Sequence, residues 1–142
     1  MKVSIHELEC HFRKFNELYF NGWLQMPKFK IIHSYKMLGY FDYQPTTCGG
    51  IDPCISITDG YGFTYNQLRD ILVHEMIHYY LAFSGQDVYV NHGNEFLNMA
   101  RNFNYNYGTN ITVTYNTLGY YKIKQCNFLL KVKDFLNDLL FS

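Results

Sequence analysis

The stretch LRDILVHEMIHYYLAF, residues 68–83, decides the fold that this sequence predicts. Drawn as a helix it carries apolar side chains on nearly every side, and a helix that is apolar almost all round is a buried one. Thr64 and Gln67 precede it with the spacing of a capping box, in which two side chains satisfy the first free N–H groups of a helix. The sequence therefore predicts a buried helix over residues 65–83.

The middle of this helix carries a histidine and a glutamate followed by a second histidine, in the order His74-Glu75-x-x-His78. Residues four apart lie on one helical face, so both imidazoles can reach a single zinc ion. Glu75 borders that position without having to bind the metal, where a carboxylate takes a proton from zinc-bound water. The alternative is a helix with two hydrogen-bonded histidines and an ion-paired glutamate. We favour a Zn2+ site with Glu75 as catalytic acid/base, because zinc supplies the partner that such buried groups need.

A catalytic zinc site usually has three protein ligands and one open position, so a third ligand has to come from another element. His92 is the best candidate, because it begins a predicted third helix of about residues 93–103. A loop after Gly85 can bring that helix back beside the metal. Glu95 is the rival and would give a set of two histidines and one glutamate. We favour His92, since a residue at a helix start is freer to turn inward. Glu95 then becomes a candidate partner that contacts a metal ligand without binding the metal itself.

The rest of the chain predicts an α+β fold around the buried helix. Ser4 and Glu7 are spaced as a capping box, and apolar residues follow at three- and four-residue steps up to Asn21-Gly22, which indicates an N-terminal helix. Residues 28–57 contain three short runs of β-forming residues separated by proline and glycine, which predict a small, largely antiparallel sheet. Residues 111–115 suggest a late strand, and residues 129–139 an amphipathic C-terminal helix.

Composition and residue spacing argue against several classes of protein. The 12 Lys and Arg balance the 12 Asp and Glu, whereas a dedicated DNA-binding protein usually has a basic excess. No stretch approaches the roughly 20 apolar residues of a membrane span, and the N-terminus lacks the apolar run of a signal peptide. No two of the four cysteines are spaced as C-x-x-C, so a zinc ribbon is not expected. We expect a cytoplasmic protein with reduced thiols and no membrane partner.

With these residues in view, the chain resembles the SprT-like metallopeptidases, the family that includes the Spartan proteases. The resemblance covers about residues 5–115 and rests on four segments: residues 18–22, 74–81, 92–96 and 110–113. It implies a zincin-type fold in which His74, His78 and His92 bind zinc. It also implies that Glu75 activates water for peptide-bond hydrolysis. In zincin folds an edge strand beside the active-site helix receives the substrate backbone, and residues 51–57 are the candidate for that strand.

Two departures from the family limit what the resemblance implies. Many members carry a C-terminal zinc ribbon with paired cysteines, but here only Cys126 lies beyond Cys54. We therefore expect one SprT-like domain over residues 1–142 without the ribbon. Spartan-type proteins act on proteins crosslinked to DNA, yet this chain has no basic excess. DNA is thus a partner by resemblance alone.

The predicted function is that of a zinc-dependent endopeptidase acting on protein or peptide substrates. The family resemblance adds DNA-associated proteins to these substrates. The first alternative is a non-catalytic interaction module stapled by zinc. It requires four protein ligands, with Glu95, Asp87 or a cysteine completing the shell. The second is a protease that depends on a partner for its contact with DNA, and the third is an inactive homologue with an intact motif but a blocked cleft.

Overall fold

The computed structural model of the protein describes residues 3–86 and 91–123. Helices α1, α2 and α3 span Ile5–Phe20, Tyr65–Phe83 and Asn94–Tyr107. Strands β1 to β5 span Lys28–Ile32, Gly39–Pro45, Ile51–Thr58, Tyr61–Gly62 and Tyr121–Lys122, and a 3-10 turn spans Thr117–Gly119. The fold is α+β, as predicted, with an N-terminal helix, a small sheet and two following helices.

The helices begin where the capping residues predict. The Ser4 hydroxyl accepts a hydrogen bond from the Glu7 N–H at 3.2 Å, at the start of α1. Thr64 and Gln67 form a complete capping box at the start of α2, with both reciprocal hydrogen bonds present. α3 runs four residues beyond its predicted end and stops at Gly108, whose φ of 67° suits a residue without a side chain.

The main sheet is mixed, so the prediction of a largely antiparallel sheet is wrong. Its strand order is β1-β3-β2, with β2 antiparallel and β1 parallel to β3. The hairpin between β2 and β3 is local, and short connections favour antiparallel pairing. β1 instead passes β2 in sequence and pairs with β3, placing Lys28 opposite Cys54. The residue patterns of β1 and β3 do not indicate this long-range pairing.

β3 lies in the centre of this sheet, which corrects the expectation that residues 51–57 form the edge strand beside the cleft. Residues 55–58 of β3 are all buried. Among the described strands, β2 is the edge on the side of the cleft, since residues 39–41 line that cleft. Within residues 3–86 and 91–123, the edge of the sheet near α2 therefore belongs to β2, and no other strand pairs with it there.

The predicted late strand at residues 111–115 does not form. This segment is irregular, because the backbone of Ile111 bonds to the Asn104 side chain of α3 and the Thr112 carbonyl bonds to His74 of α2, instead of to a neighbouring strand. The only pairing of this region that the structure describes is the short ladder between β4 and β5. The predicted C-terminal helix at residues 129–139 lies outside the described residues.

α2 is the central element, as its all-round apolar pattern predicts. It packs against β2, β3, α1 and α3, and its side chains Leu72, Val73, Met76 and Ile77 have no exposed surface. Burial of each such side chain stabilises the fold by roughly 1.5–3 kcal/mol, which holds α2 firmly in place. Within residues 3–86 and 91–123, no helix combines the length and apolarity needed to cross a bilayer.

Candidate metal centre

Three histidines meet at one point between α2 and α3. His74 and His78 project from the same face of α2, and His92 comes from the loop that leads into α3. The Nε2 atoms of His74 and His92 lie 3.0 Å apart, those of His74 and His78 3.3 Å, and those of His78 and His92 3.2 Å. The structure thus brings the three histidines named from the sequence into one nearly equilateral group.

The spacing of these nitrogens suits a metal ion. Zinc–nitrogen bonds of about 2.0–2.1 Å in a tetrahedron place neighbouring ligand atoms about 3.3 Å apart. Burial, together with the neighbouring histidines, lowers the pKa of His74 to about 3, and burial with His92 lowers that of His78 to about 4. Both rings are therefore neutral at pH 7, the form in which imidazole binds a metal. The group could hold a metal ion.

A backbone carbonyl fixes the orientation of His74. The Nδ1–H of His74 donates to the carbonyl oxygen of Thr112 at 2.8 Å. Because a carbonyl can only accept, the proton lies on Nδ1 and the lone pair of Nε2 faces the other two histidines. Sequence reasoning missed Thr112 in this role, and no residue pattern could have revealed it, since every residue has a carbonyl.

His92 reaches the group through an unusual backbone conformation. Its φ is 57°, in the left-handed region that few residues other than glycine adopt. Such a conformation costs of order 1–3 kcal/mol and persists where the surroundings enforce it, often at functional sites. Gly93 follows as the N-cap of α3, and its carbonyl accepts the first helical hydrogen bond, from the Leu97 N–H.

Phe96 forms an apolar wall against all three imidazoles. Its ring centre lies 4.7 Å from that of His74, 4.7 Å from that of His78 and 4.8 Å from that of His92. The side chain is fully buried in the first turn of α3. Phe96 belongs to the segment 92–96 that resembles the SprT-like family, but the sequence alone assigned it no role. It restricts the ring orientations and keeps water from that side of the site.

Glu75 is buried beside the glycine that begins β2. The side chain is 6% exposed, and burial raises its pKa to about 8. A Cβ atom at Gly39 would lie 3.0 Å from Oε1 and 3.1 Å from Cγ of Glu75, and 3.3 Å from Cδ1 of Ile57. The absence of a side chain at Gly39 therefore leaves the space that the Glu75 carboxylate occupies.

Replacing Gly39 with Ala should lower the free energy of unfolding by about 1–3 kcal/mol, because the new methyl group overpacks this space. Urea denaturation of the metal-free protein measures the change. Gly119→Ala is the matched control, since a Cβ there meets nothing within 4 Å. In a Glu75→Ala background the cost of Gly39→Ala should shrink. An equal cost in both backgrounds would mean that Glu75 is not the neighbour that requires glycine.

Glu95 lies apart from the histidine group. It is exposed in the first turn of α3 and does not belong to the set of converging ligand atoms. Within the described ranges that set consists of three histidines, without a carboxylate or a cysteine. Asp87, the other carboxylate considered for a four-ligand shell, lies outside these ranges. A role for Glu95 behind a ligand stays a prediction.

The histidines and Glu75 line an open cleft of about 490 Å³. Residues 36–41 and four residues of the segment 113–117 supply most of the remaining lining. Tyr115 lies in this lining, 5.6 Å from the His74 ring, and its hydroxyl donates to the Asp70 carbonyl at 3.0 Å. Burial raises the pKa of Tyr115, so its hydroxyl stays protonated at neutral pH.

Comparison with known proteins agrees with the geometry of this centre. A search of curated proteins found no match to the chain. The model of the SprT-like family matches residues 8–116, which is more than half of the sequence and includes all three histidines and Glu75. Its members are generally zinc metalloproteases, and the spacing of His74 and His78 fits the HExxH motif. The chain therefore belongs to the SprT-like family.

Proposed function

We propose that this protein is a zinc-dependent endopeptidase with a zincin-like active site, which hydrolyses peptide bonds in accessible segments of protein substrates. The observation that carries the proposal is the convergence of three histidines beside a buried glutamate in one open cleft. Membership of a family of zinc metalloproteases supports zinc as the metal. The absence of a fourth ligand atom from the described part of the group is consistent with a position open to water and substrate.

In this proposal His74, His78 and His92 hold the zinc ion, and Glu75 transfers the proton. When bound, zinc supplies a Lewis acid that polarises the scissile carbonyl and lowers the pKa of water. The carboxylate form of Glu75 is favoured by a neighbouring cation, so the group can accept a proton from the attacking water. Its burial keeps the protonated form accessible near neutral pH, and Glu75 can then pass the proton to the leaving amine.

The outer edge of β2, with which no described strand pairs, offers a binding site for the substrate backbone. The Leu38 carbonyl accepts a hydrogen bond from the Thr58 N–H at 3.0 Å, so the backbone groups of residue 38 point toward β3. Hydrogen bonding alternates along an antiparallel pair, which turns the backbone groups of Gly39 and Phe41 toward this outer edge. Both residues line the cleft. An extended polypeptide can add to this edge as a further strand, which gives affinity with little dependence on sequence.

A peptidase assay on unstructured peptides tests the proposal. Protein loaded with one zinc ion per chain should release two fragments, identified by mass spectrometry, and a zinc chelator should stop the release. Two versions of one peptide, N-methylated on alternate amides and offset by one residue, test the binding edge. Only one version should show a KM raised by about 10-fold, because its lost hydrogen bonds are those that face β2.

Each part of the proposal has its own contrary result. Zinc-loaded protein that cleaves no peptide would support the non-catalytic module in place of the enzyme. Cleavage with an equal KM for both methylated peptides would retain the peptidase but remove the role of the β2 edge. The unmethylated peptide and metal-free protein serve as the references for the two comparisons.

A further inference from the structure

Residues 109–112, called here the strap, connect α3 to the metal centre through hydrogen bonds from side chains. The strap follows the end of α3 and runs beside α2, where Asn110 bonds to Asp70 and Thr112 bonds to His74. It contains no regular secondary structure, so its backbone groups need other partners. Its last residue supplies the carbonyl that accepts from His74 Nδ1. Whatever fixes the strap therefore fixes the partner of a candidate metal ligand.

Asn104 makes three of the hydrogen bonds that hold the strap. Its Nδ2 donates to the Ile111 carbonyl at 3.0 Å, and its Oδ1 accepts from the Ile111 N–H at 2.8 Å. The Thr109 hydroxyl also donates to Oδ1, at 2.8 Å. With both its N–H and its carbonyl bound to one side chain, Ile111 has little freedom to rotate, and the next peptide group is that of Thr112.

A second anchor ties the strap to α2, one turn before His74. The Asn110 N–H donates to Asp70 Oδ1 at 3.2 Å, and the Arg69 guanidinium binds the same oxygen at 2.9 and 3.0 Å. The Ile111 side chain is buried in the core. The strap is thus held from α3 by Asn104 and from α2 by Asp70, with the Thr112 carbonyl directed at His74.

We propose that Asn104 is a positioning residue of the metal centre, which sets the direction of the Thr112 carbonyl and so orients the imidazole of His74. The inference rests on the metal site of the proposed function, but it does not depend on peptidase activity. A partner that donates to or accepts from a ligand imidazole fixes its tautomer and direction, and its loss typically costs 10–100-fold in metal affinity. Asn104 acts one step further back, through the backbone of the strap.

The variant that tests this is Asn104→Asp. Aspartate has nearly the shape of asparagine and keeps the oxygen that accepts from the Ile111 N–H and the Thr109 hydroxyl. It replaces the Nδ2 donor with an oxygen that repels the Ile111 carbonyl, so the strap should turn away from His74. Asn98→Asp is the matched control, because Asn98 is exposed on the same helix and the change in charge is identical.

Two measurements separate a positioning role from a purely structural one. Zinc affinity, measured by competition with a chromophoric chelator, should fall by about 10-fold or more in Asn104→Asp and stay unchanged in Asn98→Asp. In the metal-free protein, the NMR resonance of the hydrogen-bonded His74 Nδ1–H should disappear or shift in Asn104→Asp alone. A generally destabilised helix would lower the unfolding midpoint without changing either quantity in the folded protein.

A milder variant keeps the inference falsifiable if Asn104→Asp does not fold. Thr109→Val removes one hydroxyl donor to Asn104 Oδ1 at nearly constant volume, and should reduce zinc affinity by a few-fold. Unchanged zinc affinity and an unchanged His74 resonance in a folded variant would overturn the proposal, as would a wild-type protein that binds no zinc. Wild-type protein that binds zinc but cleaves no peptide would contradict the proposed function and leave the role of Asn104 intact.

Discussion

Glu75→Gln should reduce peptidase kcat/KM by about 10²–10⁴-fold while one zinc ion stays bound to each chain, because a general acid/base contributes that much. Glutamine has the shape of glutamate and fits the space beside Gly39, so the fold and the histidine group should be retained. It has no site that can accept and return a proton. Initial rates on an unstructured peptide, with zinc content measured on the same samples, give both quantities.

The control for this prediction is Glu17→Gln, the same change at an exposed position of α1. That variant should keep the wild-type rate. Full activity in Glu75→Gln would mean that another group transfers the proton and that the proposed mechanism is wrong. Loss of zinc together with activity would instead show that the Glu75 carboxylate helps to hold the metal.

His92→Ala should remove most of the bound zinc from protein purified without added metal. Removing a group that binds the metal directly should lower zinc affinity by more than the roughly 10–100-fold that follows removal of an outer partner. The Nε2 of His92 lies 3.0 and 3.2 Å from those of the other two histidines, so its loss leaves two ligands on one helix face. Plasma mass spectrometry of wild type and variant, at equal protein concentration, measures the metal.

Two further variants control for the backbone at this position. Because His92 has a φ of 57°, alanine adds strain there, whereas asparagine tolerates the left-handed region. His92→Asn should therefore lose zinc as His92→Ala does, with less effect on stability. His6→Ala, at an exposed position of α1, should keep its zinc. Zinc retained in His92→Ala would mean that Glu95 or another residue is the third ligand. Loss of that zinc on a further Glu95→Gln change would identify Glu95.

Helices α1 and α2 and the HExxH motif could be predicted because their information is local. A capping side chain bonds to a backbone group three residues away, and two histidines four residues apart share a helix face whatever surrounds the helix. The apolar residues around His74 and His78 predicted the burial of α2 for the same reason. These features depend on spacing within one element, and one element is what a sequence pattern describes.

The sheet and the wall of the cleft were decided by tertiary structure. β1 could have paired with β2 or with β3, and its residues suit either partner, so the mixed sheet and the central place of β3 could not be predicted. Residues 111–115 have the composition of a strand, but the side chains of Asn104 and His74 bind the backbone of Ile111 and Thr112. The partner of a strand and the side chains that bind a backbone segment both come from residues distant in sequence. A local residue pattern does not show which distant residues will lie nearby.

By itself the sequence identified the residues to which we assign the proposed chemistry: a buried helix with two histidines and a glutamate, and a third histidine at the next helix. Only the tertiary structure decided what surrounds them. The Thr112 carbonyl that orients His74 and the missing side chain of Gly39 that admits Glu75 belong to the backbone. A carbonyl is common to every residue and a glycine suits many turns, so their roles arise only when folding places them against the site.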